Sequence, residues 1–96
     1  MQFLAIARRK TDDFTDAQFA PHLEAEAEAV RRLHASGRIR QVWGRTDVPG
    51  ACLMVEADSL AEAKVLLDEL PLVHAKMLDV QIIPLSSYRG FGPRKP

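Results

Sequence analysis

The stretch QFLAIARRKTDDFTDAQFAPHLEAEAEAVRRLHASGRIRQVWGR (residues 2–45) decides the fold, because a strand, a capped helix and a second strand follow one another in it. Its first segment is short and apolar and is followed by a charged loop, which is typical of a strand. Thr15 and Gln18 have the spacing of a helix capping box, and Gly37 is a natural helix stop. The predicted elements are a strand at residues 2–8, a helix that ends at about Ser36, and a strand at 39–45. The helix begins either at the capping box or near Pro21, since proline fits a helix start or first turn.

The remainder of the chain repeats this order. Pro49 followed by Gly50 predicts a type II turn, and Ser59 with Glu62 predicts a second capping box. The predicted elements are a strand at 51–57, a helix from Ser59 to Leu70 stopped by Pro71, a strand at 78–83 ended by Pro84, and an irregular tail at 85–96. The order β-α-β-β-α-β predicts an α+β ferredoxin-like sandwich, with a four-stranded antiparallel sheet and two helices on one face. We expect residues 1–96 to form a single domain.

The third predicted strand carries apolar side chains on both faces, with Leu53 and Val55 on one and Cys52 and Met54 on the other. An antiparallel sheet with one face in water is expected to be polar on that face. We therefore expect a second copy of the chain to cover it, giving a homodimer or a higher homo-oligomer of dimers.

Composition excludes several classes of function. The 96 residues include 13 basic and 13 acidic side chains, so the net charge is zero and nucleic acid or an anionic membrane is not an expected partner. The chain contains no apolar run near the roughly 20 residues that a membrane helix needs, and its first residues lack the order of a signal peptide. Cys52 is the single cysteine, which favours a cytoplasmic location.

The first helix carries the main candidate site, because its apolar seam contains a carboxylate. The seam positions, in steps of four and three, are Phe19, Leu23, Glu26, Val30 and Leu33. His22 lies one turn before Glu26, at a spacing where side chains meet. We interpret His22 and Glu26 as an acid–base pair in a pocket between helix and sheet. The alternative is a histidine at the seam edge and a glutamate that reaches water or an arginine.

Five further residues are candidate substrate ligands: Arg40, Trp43, Arg45, His74 and Tyr88. The arginines suit an anionic cyclic substrate, since a guanidinium holds a carboxylate by two parallel bonds. Trp43 is either a pocket residue or part of the core or subunit interface. Strict alternation places Trp43 and Arg40 on opposite faces of the sheet, so at most one of them should line the helix-side pocket. His74 is a second acid–base group or a solvated loop residue, and Tyr88 covers a partner subunit or the pocket. No metal site is expected, because His22 and Glu26 are too few ligands.

The chain also resembles a known family. Arg40-Gln41-Val42-Trp43, then Leu70-Pro71-Leu72, then a last strand ending near Pro84 look like the muconolactone isomerase family. The likeness spans roughly residues 26–88, and residues 45–51 depart from it. The chain is also similar to the related YCII-type domains around His22-Leu23.

The resemblance implies a dimeric α/β barrel and the isomerisation of a small unsaturated lactone in aromatic catabolism, by movement of a proton and a double bond without a cofactor. Glu26 or His22 would be the base, and Arg40 or Arg45 would hold the substrate carboxylate. Two other functions stay open: a non-catalytic ligand-binding or assembly module, and a cofactor-free monooxygenase.

Overall fold

The structure is a computed structural model that describes residues 1–93. Its main elements are β1 (Gln2–Arg9), α1 (Asp16–Ala35), β2 (Ile39–Gly44), β3 (Gly50–Glu56), α2 (Leu60–Leu67), α3 (Pro71–His74) and β4 (Leu78–Leu85). The strands form one antiparallel sheet in the order β2-β3-β1-β4. The ferredoxin-like α+β fold expected from the sequence is therefore confirmed. Within the predicted tail, a short 3-10 turn spans Arg89–Phe91, and residues 94–96 lie outside the described part.

Helix α1 begins at the capping box, and Pro21 lies inside the helix and not at its start. The Thr15 backbone N–H donates to Gln18 Oε1 at 2.8 Å, and the Gln18 N–H donates to Thr15 Oγ1 at 3.3 Å. These bonds satisfy two backbone donors that a helix start leaves free. At the other end, Gly37 takes a left-handed φ of 79°, which ends the helix as expected.

One face of the sheet carries the hydrophobic core. Phe3 and Ala5 of β1 pack with α1 and α2 on that face, together with Val55 of β3. On the opposite face, β1 and β3 expose part of an apolar surface, whose members are Leu4, Ile6, Cys52 and Met54. We call this the open face of the sheet. Strand β3 thus shows the predicted alternation: Leu53 and Val55 are buried, whereas Cys52 and Met54 on the open face are only partly buried within the single chain.

Two prolines behave differently from the prediction. Helix α2 already ends at Leu67, and Pro71 begins α3 instead of stopping a helix, since proline fits a first helical position. Pro84 does not end the last strand but lies inside β4, paired with Phe3. Strand β4 is at the edge of the sheet, where the missing N–H of proline costs no ladder bond.

Two local motifs also differ. Gly50 does not have the positive φ that a type II turn requires and instead pairs with Arg8 as the first residue of β3. At the start of α2, the Glu62 N–H donates to Ser59 Oγ at 3.1 Å as expected. The Glu62 carboxylate, however, accepts from the N–H of Asp58 and not from that of Ser59, so the second capping box closes one residue early.

Candidate active site

A cavity of about 140 Å³ lies between α1, α3 and the helix-facing side of the sheet. Most of its wall is apolar, and its apolar and glycine members are Val30, Val42, Gly50, Ala51, Leu53, Leu70, Leu72 and Leu78. Within the described part of the chain, the charged side chains that line it are Glu26 and Arg9. A small apolar cavity with a few convergent polar groups is the usual form of a small-molecule site.

Glu26 is held in this cavity by a backbone donor from a distant segment. Its Oε1 accepts a hydrogen bond of 2.9 Å from the Leu72 N–H. Leu72 is the second residue of α3, whose first turn has no side-chain cap of its own, so Glu26 satisfies a donor that the helix start leaves free. The other carboxylate oxygen, Oε2, has no hydrogen-bond partner in residues 1–93.

The protonation of Glu26 is set by opposing effects. Burial raises the pKa of its carboxyl, while the Leu72 hydrogen bond and the charges of Arg9 and His22 lower it. Burial prevails, so the pKa stands above its ordinary value. A carboxyl shifted in this direction lies nearer to neutral pH, where a general base is most effective.

Arg9 belongs to the site, although the sequence reasoning missed it. It is the last residue of β1 and follows Phe3, Ala5 and Ala7 at every second position, so it faces the helices as they do. Its guanidinium carbon lies 5.4 Å from the centre of the Phe19 ring, a cation–π contact. This alternation in the sequence was the signal that would have found it.

His22 stands close to Glu26 but not in the cavity wall. Its charge contributes to lowering the Glu26 pKa, whereas it is not among the lining residues and makes no hydrogen bond within residues 1–93. The structure therefore brings Glu26 and Arg9 together in one cavity and leaves His22 beside them. The acid–base pairing of His22 with Glu26 stays a prediction.

Strand β2 supplies Val42 to the cavity, and neither Arg40 nor Trp43 reaches it. The register of β2 against β3 shifts between Ile39 and Gln41, a bulge that breaks strict alternation. Val42 thus pairs with Leu53 on the helix side, and Trp43, opposite Cys52, belongs to the open face with 46% of its surface exposed. Arg40 is exposed.

Arg45 is engaged with Asp47, away from the cavity. Arg45 Nε donates to Asp47 Oδ1 at 3.0 Å and Nη2 donates to Oδ2 at 2.7 Å, a two-bond pair. These bonds lower the pKa of Asp47 to about 2. A third contact of 3.4 Å joins Arg45 Nη1 to the carbonyl oxygen of Ala7. A guanidinium occupied in this way has few donors left for a substrate carboxylate.

The two remaining candidates lie outside the cavity. His74 ends α3 instead of lying in a loop; it is exposed, and its Nδ1 is 3.2 Å from Asp68 Oδ2. Tyr88 is 70% exposed and packs against Phe91 with ring centres 5.0 Å apart. Neither residue lines the cavity that holds Glu26.

An outer groove adjoins the cavity. Val30 and Val42 line both spaces, and Arg31 and His34 complete the groove, which measures about 380 Å³.

Among residues 1–93 no cluster of three or more histidine, cysteine, aspartate or glutamate side chains is placed to hold a metal ion. In the same part of the chain, no helix has both the length and the apolar composition of a membrane span.

Comparison with known proteins identifies the family of this chain. A search of curated proteins finds no match. A solved structure, 5-chloro-2-hydroxyhydroquinone dehydrochlorinase from Burkholderia phenoliruptrix AC1100 in complex with 2,5-dihydroxybenzoquinone, matches with a TM-score of 0.61 and 19% identity, over 94% of this chain and 98% of that chain. This similarity shows a shared fold. The muconolactone delta-isomerase family matches residues 1–90, so the chain belongs to that family.

Proposed function

We propose that this protein is a cofactor-independent isomerase that moves a proton and a double bond in a small unsaturated lactone or a related cyclic acid. The observation that carries the proposal is Glu26, a partly buried carboxylate with one free oxygen in an apolar cavity. Membership of the muconolactone delta-isomerase family supports this reaction class, and the degradation of aromatic compounds is the setting that it suggests.

The size of the cavity supports a single small ring as the substrate. An engineered protein cavity of about 150 Å³ accommodates benzene, and the cavity beside Glu26 measures about 140 Å³. A five- or six-membered ring therefore matches the size of the cavity. Larger substituents would extend past Val30 and Val42 into the outer groove.

Glu26 would act as the base through Oε2, because Leu72 holds Oε1 in place. The carboxylate removes a proton from a carbon α or γ to the lactone carbonyl, and the electron pair of that C–H bond forms a new double bond. The original double bond shifts, and the protonated Glu26 returns the proton to the other end of the allylic system. No atom is gained or lost, which agrees with a reaction that needs no cofactor. His22 is the predicted partner of Glu26 in this step.

Muconolactone turnover and solvent exchange test this function. Incubation in D₂O should introduce deuterium into the substrate or product, and Glu26→Gln should lower turnover by roughly 10²-fold or more. Glu24→Gln is the matched control, because Glu24 is an exposed glutamate on the same helix. If His22 works with Glu26, His22→Asn should give a similar fall, and the double variant should be little worse than either single one.

Each other result points to a different function. Equal turnover by the two glutamine variants would contradict the role of Glu26. Ligand binding without exchange or turnover would favour the non-catalytic module, and oxygen consumption with aromatic substrates would favour the monooxygenase.

Pairing of two copies through the open face is part of the same proposal. Trp43 extends the apolar surface formed by Leu4, Ile6, Cys52 and Met54. A partner sheet would remove this surface from water, which stabilises the pair roughly in proportion to its apolar area. A cytoplasmic location also belongs to the proposal, since Cys52 has no second cysteine with which to form an internal disulfide.

A further inference from the structure

We propose that Arg9 binds an anionic oxygen of the ligand directly beside Glu26. The sequence had suggested Arg40 or Arg45 for such a role, and neither lies in the cavity. The inference rests on the proposed function only in taking the cavity as the ligand site; it does not require Glu26 to be the base.

The first argument is that the Arg9 guanidinium has no acceptor among the described residues. Within residues 1–93 its side chain donates no hydrogen bond and forms no ion pair, although it lines the same cavity as Glu26. Arg8, Arg38 and Arg45 each pair with a carboxylate on the protein surface. The other described arginines are unpaired but exposed, so Arg9 differs from them by its place in the cavity wall; they are Arg31, Arg32, Arg40 and Arg89. A guanidinium carries five N–H donors in a planar fork that matches a carboxylate. Arg9 therefore has its full set of donors available for a ligand.

The second argument concerns the surroundings of that charge. Apolar side chains, including Leu72 and Leu78, form most of the wall, and Phe19 lies against the guanidinium. A charge in such a wall is costly unless an opposite charge is nearby. Glu26 is a charged neighbour of Arg9 in this wall, but among residues 1–93 it forms no hydrogen bond or ion pair with the guanidinium. A ligand anion would supply an acceptor in direct contact, and in this less polar environment the attraction is stronger than in water.

The anionic oxygen has two possible sources. It is either a carboxylate that the ligand carries in its ground state or a lactone oxygen that becomes negative while the double bond moves. Binding to a carboxylate lowers KM, whereas binding that appears only in the transition state raises kcat. The two sources therefore give different effects of the same substitution.

The test for a ground-state carboxylate uses 2-furoate, a five-membered ring with one carboxylate, and its neutral analogue furan-2-carboxamide. NMR titration follows the Leu72 amide, which donates to Glu26 in the cavity wall. Wild type should bind furoate at least roughly tenfold more tightly than the amide, and Arg9→Gln should lose that preference. Arg9→Lys, which keeps the charge without the fork, should retain part of it. Arg40→Gln is the matched control and should bind furoate like wild type, because Arg40 is exposed.

The test for a developing charge uses turnover of muconolactone by the same variants. Arg9→Gln should then lower kcat with little change in KM. The inference is overturned if Arg9→Gln, folded by circular dichroism, changes neither the furoate preference nor the turnover. It stands and the proposed isomerase function fails if furoate binding depends on Arg9 while wild type neither turns over muconolactone nor exchanges its protons with D₂O. The opposite pattern, with Glu26 essential and Arg9 without effect, sinks the inference and leaves the function intact.

Discussion

Replacement of Gly50 by alanine should destabilise the protein, because no space exists for a methyl group at this position. Gly50 pairs with Arg8 of β1, and an added Cβ would overlap the carbonyl oxygen of Ala7 and come within 3.1 Å of Arg8 Cα. These are backbone atoms, so β1 and β3 would have to move apart. Overpacking of this kind typically costs about 1–3 kcal/mol, and each kcal/mol lowers Tm by about 4–8 °C in a domain of this size.

Gly44→Ala provides the matched control in the neighbouring strand, since an added Cβ there meets no atom within 4 Å. This variant should keep the stability of wild type or gain up to about 1 kcal/mol from a less flexible unfolded chain. Thermal and urea unfolding followed by circular dichroism measure both effects. Because Gly50 also lines the cavity, its variant should lose ligand binding as well. Equal stability of the two alanine variants would refute the reasoning, since it would show that β1 and β3 can separate at no cost.

Three more predictions follow from the charged groups and the open face. Because the pKa of Glu26 is raised, its carboxyl holds a proton more tightly in the folded state than in the unfolded state, so wild type should lose stability relative to Glu26→Gln as pH rises from 4.5 through the raised pKa. Urea unfolding from pH 4 to 8 checks this, and a difference in unfolding free energy that does not change with pH would contradict it. Asp47 should titrate at about 2 in a carboxyl-detected NMR experiment and move toward 3.8 in Arg45→Ala, whereas an unchanged midpoint would mean that Arg45 is not the cause. The protein should sediment as a dimer or a multiple of one at micromolar concentration, with Trp43→Ala weakening association; a stable monomer would remove the case for a covered open face.

The elements were predictable where their signals are local. Thr15 with Gln18 and Ser59 with Glu62 each mark a helix start within four residues, and the alternation in β3 is visible in the chain itself. The prolines were harder, because their effect depends on distant partners. Pro84 is tolerated only because β4 is an edge strand, and its position at the edge is fixed by pairing with β1.

The candidate site was predictable in part for the same reason. Glu26 interrupts the apolar period of one helix, so a single stretch of sequence reveals it. The Leu72 N–H that holds it comes from a segment 46 residues away, and the sequence contains no mark of that bond. The bulge in β2 was not predicted either. It turns Val42 toward the helices, whereas strict alternation along β2 would have placed Val42 on the open face. Arg9 was within reach, because the alternation of β1 continues to it.

The structural and chemical roles of Glu26 meet in one hydrogen bond, and this decides which substitution is informative. Oε1 satisfies the first turn of α3, so Glu26→Ala would leave the Leu72 N–H without its partner and disturb the cavity wall, whatever the chemistry. Glutamine keeps an oxygen for that donor and removes only the ionisable group. A loss of turnover in Glu26→Gln with the Leu72 amide still hydrogen-bonded would therefore assign the loss to Oε2. The same hydrogen bond that makes Glu26 a cap also holds its carboxylate in place, but it lowers the pKa that burial raises, so the structural role favours the position of the base and works against its basicity.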